Sequence, residues 1–319
     1  MRFLLLGAVT AAADVIGSSA KYQAWKRREA ARLQAASQMA QTALGPVEYA
    51  TVGEGPAVLV IHGASGGYDQ GMVAARLMDG HGLRLIAPSR PGYLRTPLSV
   101  GDTPARQADA LAALLDALQI RTAAVAGISA GGPTALQFAL RHPARCRGLV
   151  MMAAVSRRAD FLPRLETPAC QLAFCEPLMN AVPYLVARWP ALLPPMLSAN
   201  DPKLRTELIR DPDKFESILS FIRCGRMMES RKAGIRNDVA QIARLPELPL
   251  ESVAVPTLVL HGTADTVVPF DHAEHVAARV PGARLLPIAG GEHLFFASHP
   301  EVYLPPLLDF LQSLPGTSH

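Results

Sequence analysis

Two hydrophobic rhythms divide this chain. Val47-Glu48-Tyr49-Ala50-Thr51-Val52 alternates as a half-buried strand does, and Gly53-Glu54-Gly55-Pro56 turns it back. The next run, 57–61, is apolar throughout, as expected of a strand covered on both faces of a parallel sheet. Runs of the same kind recur at 83–87, 123–126, 148–152 and 257–260, and a further strand is predicted at 285–288. Between them lie helical patterns. The clearest opens at Thr103-Pro104, a cap and a first helical position, and carries leucines at 111, 114, 115 and 118. A last helix is predicted near 303–314. Strands alternating with helices of this length specify an α/β fold with a mostly parallel sheet flanked by helices.

The rhythm breaks between about 156 and 255. Eleven prolines fall there, from Pro163 to Pro249, separating short amphipathic pieces such as 203–210 and 215–228. The stretch is too long for a loop and too irregular for more strand–helix units. It reads as an inserted helical cap over 156–255, with the core in 46–155 and 256–319 and a leader in 1–45.

The formal charge of +4 suggests a basic protein until it is located. Residues 1–32 hold six basic and two acidic side chains, which accounts for the whole excess. A neutral body with few aromatics excludes a nucleic-acid binder, whose basic footprint would lie on the folded domain. The leader opens with Arg2 and an apolar stretch, 3–13, that resembles a short signal-peptide core; Asp14 interrupts it. The basic cluster from Lys21 to Arg32 predicts retention on the cytoplasmic side, free or membrane-associated, rather than export. Trp25, Leu33, Ala36, Ala40 and Leu44 recur at near-helical spacing. Two readings are open for them: a helix lying on a membrane surface, or one packed on the domain. The four cysteines have no metal-binding spacing and read as idle or buried thiols, with a Cys170–Cys175 disulfide conceivable only in an oxidising compartment. Neither a metal nor an organic cofactor is implied.

The chemistry concentrates at four strand ends. Gly127-Ile128-Ser129-Ala130-Gly131 stands between the run at 123–126 and a helix-forming segment, so Ser129 falls on a sharp turn with its hydroxyl exposed. A serine hydroxyl needs a base, and the base needs an orienting acid. Asp265 follows the strand at 257–260, and His293 follows Gly290-Gly291 after the strand at 285–288; Asp160 and His299 are the weaker rivals. His62-Gly63-Ala64-Ser65-Gly66-Gly67 supplies backbone donors, and the amides of Ala64 and Ala130 are the expected pair for a developing oxyanion. His62 and His261, each before a glycine at a strand end, read as structural.

With the His62-Gly63 loop, the Gly-x-Ser-x-Gly turn, the Gly-x-x-Asp-x-x-Val-Pro stretch at 262–269 and His293 in this order, the chain resembles the α/β-hydrolase fold family over roughly 47–314. The resemblance implies a serine-nucleophile branch. Ser129 excludes the branches with an aspartate nucleophile. Leu294 stands where carbon–carbon bond hydrolases carry a tryptophan. The aromatic residue that proline iminopeptidases carry after the serine is absent, since Ala130 stands there. Ser89 stands where many relatives have an acid, and Arg90 and Arg95 are nearby candidates for a role beside the site. The expectation is an enzyme that hydrolyses a small to medium carboxylic ester, its acyl substrate a small molecule, through an acyl-enzyme. The same triad could act on amides, lactones or carbon–carbon bonds, or transfer an acyl group. A hydrolase-like binding protein is the non-enzymatic alternative. Phe174, Leu178, Met179, Trp189, Leu192, Leu193, Met196, Phe215 and Phe221 are candidates for an acyl pocket or for the cap's own core. Arg157, Arg158, Arg223, Arg226, Arg231 and Arg236 are candidates for an acidic substrate group or for a solvated face.

Overall fold

The structure is a computed structural model that describes residues 19–159, 175–193 and 201–315. Asp160, Cys170, Phe174, Met196 and the apolar start of the leader lie outside the described residues.

Eight strands form one sheet: β1 (Gln38–Thr42), β2 (Gly45–Val52), β3 (Ala57–Ile61), β4 (Arg84–Pro88), β5 (Ala123–Ile128), β6 (Cys146–Met152), β7 (Thr257–Gly262) and β8 (Arg284–Ile288). Their spatial order is β1-β2-β4-β3-β5-β6-β7-β8. β1 and β2 run antiparallel to their neighbours and the other pairings are parallel. β3, β5, β6 and β7 are buried along their whole length, which is why they read as unbroken apolar runs. Helices α2 (Tyr68–Ala75), α3 (Pro104–Ala117), α4 (Gly132–Arg141), α9 (Asp271–Arg279), the short α10 (Phe295–Ser298) and α11 (Pro300–Ser313) complete the core. Thr103 caps α3 by accepting from the Arg106 amide, with Pro104 at the first helical position.

The core begins earlier than position 46. β1 adds Gln38–Thr42 to the sheet, and Ala40 and Leu44 belong to that strand and the turn after it rather than to a helix. A polar edge strand carries no apolar run to announce it; only Ala40 is buried along it. Before it, α1 (Ala20–Ala35) starts at Ser19, whose hydroxyl accepts from the Tyr22 amide. This helix lies on the domain. Leu33 and Glu29 are buried, the Tyr68 hydroxyl donates to Leu33 O at 2.6 Å, and Arg226 pairs with Glu29 at 2.8 Å. Among the described residues no helix is long and apolar enough to cross a membrane.

Between β6 and β7, four inserted helices stand among the described residues: α5 (Glu176–Arg188), α6 (Pro202–Arg210), α7 (Pro212–Arg223) and α8 (Lys232–Ile242). Three of the prolines in this stretch occupy the first turns of helices, and Asp201 and Asp211 cap α6 and α7. Prolines that looked like breakers therefore start helices, where the missing N–H has no partner to lose. The piece expected at 215–228 begins at Pro212 and stops at Arg223, before the left-handed Met227. α5 also touches α1: Asn180 donates to the Tyr22 hydroxyl at 2.7 Å, Trp25 Nε1 donates to the Tyr184 hydroxyl at 3.3 Å, and Lys26 pairs with Glu176. Phe215 and Phe221 pack into the core cluster containing Leu208, Phe295 and Phe296, so they serve packing, whereas Leu178, Trp189 and Leu192 are exposed.

Ser89 leans on an acid from another strand. Glu48 on β2 is buried, accepts from Ser89 Oγ at 3.0 Å and Ser37 Oγ at 2.8 Å, and takes the Arg95 Nε at 2.7 Å and the Arg95 amide at 3.1 Å. Ser89 Oγ in turn accepts from the amide of Tyr68, where α2 begins. Arg95 is thus spent on this tie between α1, β2 and the loop after β4. Replacing Glu48 with alanine strands these donors, and we expect a loss of about 1–3 kcal/mol. Urea unfolding checks this: the midpoint should fall with the slope unchanged.

Candidate active site

Ser129 follows the last residue of β5 and precedes α4, at φ +51°. That left-handed conformation costs a non-glycine residue about 1–3 kcal/mol, and it persists only because the surroundings fix it. A Cβ on Gly127 would lie 2.6 Å from the Ala135 Cβ, and one on Gly131 would lie 2.7 Å from the carbonyl oxygens of Ile61 and His62. Strand, turn and helix pack too closely for side chains at either flank, which is why glycines bracket the serine.

Asp265 and His293 leave β7 and β8 through loops that are tied together. Ala264 N donates to Gly291 O at 2.9 Å, Thr263 N to Ile288 O at 3.0 Å, and Gly290 N to Thr263 Oγ1 at 2.9 Å. Behind His293, Leu294, Phe295 and Phe296 are buried and anchor its loop. The structure brings the three side chains into one line: His293 Nε2 lies 3.0 Å from Ser129 Oγ, and His293 Nδ1 lies 2.8 Å from Asp265 Oδ2. The other carboxylate oxygen accepts the amides of Val267 at 2.8 Å and Val268 at 2.9 Å.

Burial alone would push the Asp265 carboxyl up. Hydrogen bonds from His261 and His293, the electrostatic pull of the His293 ring and the Val268 amide outweigh it and hold the carboxyl well below the usual carboxylate range. An ionised acid at this position fixes the Nδ1–H tautomer of His293 and leaves Nε2 free to accept the serine proton. His261 touches this acid as well. Its Nε2 lies 2.9 Å from Val268 O and 3.2 Å from Asp265 Oδ2, two acceptors, so that nitrogen carries a proton. Only its place four residues before Asp265 on the same motif hinted at the contact.

The loop after β3 faces the serine from the neighbouring strand. Ile61 pairs with Gly127 across the sheet, and a Cβ on Gly63 would lie 2.9 Å from the Ser129 Cβ. Among the described residues, neither the Ala64 nor the Ala130 amide donates to a protein acceptor. Both N–H groups are therefore left without a protein acceptor beside Ser129.

The rival histidine stands elsewhere. His299 immediately precedes α11 and its Nδ1 lies 2.7 Å from Ser298 Oγ. Arg157, Arg223, Arg226 and Arg231 are paired with Asp271, Glu216, Glu29 and Asp69. Arg226 and Arg231 are held in buried pairs, whereas Arg157 and Arg223 pair at the surface. Arg90, one of the two arginines flagged beside the site, is fully buried behind the His62-Gly63 loop. Cys146, Cys175 and Cys224 carry free thiols, and burial pushes the Cys146 thiol up to about 12. Among the described residues no cluster of histidine, cysteine or carboxylate side chains has the makings of a metal site.

Comparison with known proteins gives this geometry a context. The solved structure of an alpha/beta hydrolase fold protein from Nakamurella multipartita superposes with a TM-score of 0.80 at 36% identity, covering 86% of this chain and 99% of that one. An uncharacterized hydrolase, YcgS, from Bacillus subtilis is 29% identical over 260 residues, 79% of this chain and 89% of its own length. A putative carbamate hydrolase, RutD, from Caulobacter is 30% identical over 235 residues, 72% of this chain and 80% of its own. The family profile for the alpha/beta hydrolase fold matches residues 56–300, a span running from the strand before the glycine-rich loop to the start of the last helix. The chain is a hydrolase-type enzyme and belongs to the alpha/beta hydrolase fold family.

Proposed function

We propose that this enzyme hydrolyses carboxylic esters of small to medium size through an acyl-enzyme on Ser129. The observation that carries the reading is the continuous relay from Ser129 Oγ through both ring nitrogens of His293 to Asp265. In this reading His293 Nε2 takes the Ser129 proton as the oxygen attacks the carbonyl carbon. The Ala64 and Ala130 amides receive the oxyanion. The protonated imidazole, stabilised by ionised Asp265, then gives its proton to the departing alkoxide. A water deprotonated by His293 attacks the acyl carbonyl, and the acid leaves as Ser129 recovers its proton. The departing alkoxide takes up the single proton that His293 has just acquired, so the acylation step balances without a second acid. Carbamate hydrolysis is the second reading, favoured by the likeness to RutD. It uses the same steps.

Two measurements test the proposal. Turnover of p-nitrophenyl butyrate at pH 8 should fall by roughly 10⁴–10⁶ in Ser129→Ala and comparably in His293→Ala; equal rates in wild type and Ser129→Ala would show background chemistry only. A methyl carbamate beside a methyl ester of the same acyl size separates the two readings by their kcat/KM ratio.

Asp265 gives a pH signature. Its pKa in the folded protein is depressed, so its stabilisation is complete above the unfolded value of about 3.9 and is lost as pH falls through the folded value. The stability difference between wild type and Asp265→Asn in urea should therefore be largest near neutral pH and narrow steadily below pH about 4. A gap that stayed constant down to acid pH would mean that Asp265 is not ionised as described.

A further inference from the structure

Arg90 is buried, lies behind the glycine-rich loop after β3, and uses every donor it has. Its Nε donates to His62 O at 2.9 Å and its Nη2 to Gly63 O at 3.2 Å. The outer face of the same fork grips Asp238 on α8, at 2.7 Å from Nη1 to Oδ1 and 2.6 Å from Nη2 to Oδ2. The remaining Nη1 hydrogen reaches Gln107 Oε1 at 3.4 Å, which also accepts from Thr134 on the helix that follows Ser129. Tyr93 adds a hydrogen bond from its hydroxyl to Asp238 Oδ2. None of this is an arrangement for binding a substrate, since no donor of the guanidinium is left over.

What it holds is a particular peptide group. Gly63 C=O and Ala64 N–H belong to one planar unit, trans like the other peptide bonds among the described residues, so they point in opposite directions. Fixing the oxygen fixes the direction of the N–H. That oxygen accepts from Arg90 Nη2 and from His62 Nδ1 at 2.7 Å, while His62 Nε2 accepts the Arg90 amide at 2.9 Å. These two bonds require one neutral tautomer of His62. Burial and the neighbouring Arg90 charge keep the ring neutral by holding its pKa far below the ordinary histidine range. Gln70 completes the cradle by accepting the Gly63 amide at 2.8 Å. At the far end of the loop, Arg231, just before α8, donates to Gly66 O and pairs with Asp69 at 2.7 Å.

The geometry points to Arg90 and Asp238 as positioning residues for the oxyanion hole: through the Arg90 fork, the inserted helix α8 sets the direction of the Ala64 N–H. The inference rests on the proposed serine mechanism and adds to it a dependence on a helix that contributes none of the reacting groups. A lysine at position 90 keeps the charge for Asp238 but lacks the planar fork that holds both carbonyls and the carboxylate together. An amide at 238 keeps the shape and loses the ionic grip.

The test compares wild type, Arg90→Lys, Asp238→Asn and Tyr93→Phe in kcat, KM and affinity for phenylboronic acid, whose tetrahedral adduct on Ser129 places an oxygen in the oxyanion hole. Tyr93→Phe keeps the ring and removes only the hydroxyl, so it serves if the charge variants fail to fold; near-UV circular dichroism establishes which proteins are native. For the folded variants at 90 or 238 we expect kcat lower by about 10- to 100-fold, with KM within about threefold. Boronate affinity should fall in proportion to kcat/KM, and Tyr93→Phe should show the same pattern at severalfold. Native variants with unchanged kcat and boronate affinity would overturn the inference, as would a fall in kcat that leaves boronate affinity untouched. Wild-type failure on every ester would sink the ester reading separately, and boronate affinity alone would then decide the role of Arg90. A wild type that neither turns over esters nor binds the boronate overturns both.

Discussion

The meeting of two tight turns at the carboxyl ends of adjacent parallel strands governs the rest of this molecule. β3 and β5 pair in register, Ile61 opposite Gly127, so the segments that follow them emerge side by side. One carries Ser129 on a left-handed residue and the other carries Gly63, whose missing side chain is what lets the two approach. The loops after β7 and β8 then bring Asp265 and His293 to the same edge of the sheet. A parallel sheet is well suited to this, because successive strands deliver their carboxyl ends to one side while helices cover both faces.

Behind the loop after β3, the buried polar groups find their partners within the protein. His62, Gln70, Arg90 and Asp238 are all buried, and each makes bonds to the loop or to one another. Burying an arginine and an aspartate is costly unless the geometry is good on both sides, and here a bidentate pair is backed by carbonyls and a tyrosine hydroxyl. Glu48 does a comparable service farther along, tying α1, the loop after β4 and the start of α2 to one carboxylate.

The parts of this protein that could be read from its sequence are those whose cause is local. Buried strands announce themselves by unbroken apolar runs, and Gly-x-Ser-x-Gly, Asp265 and His293 each sit a few residues past such a run. What escaped has a non-local cause. β1 is a polar edge strand, so its sequence carries no burial signal and its pairing with β2 is visible only in the sheet. The acid that Ser89 bonds to comes from 41 residues upstream. Arg90 and Asp238 are 148 residues apart: the sequence puts Arg90 near the site but gives it no partner, and nothing in it singles out Asp238 until the fold joins them. The prolines between β6 and β7 misled in a different way: the same residue that ends a helix also begins one, and only the aspartates at 201 and 211 marked the difference.

The ion pairs between the inserted helices and the core bear on how freely such inserts could be exchanged. Arg90 belongs to the core and Asp238 to the insert, whereas Asp69 belongs to the core and Arg231 to the insert. The two bonds run in opposite charge directions across one boundary. A foreign insert grafted between β6 and β7 would leave a buried cation at 90 and an abandoned carboxylate at 69, unless it happened to present the matching charges in both places. In this chain the insert and the core therefore form a charge-keyed pair, and a chimera would have to carry both halves of the key or replace both with apolar groups.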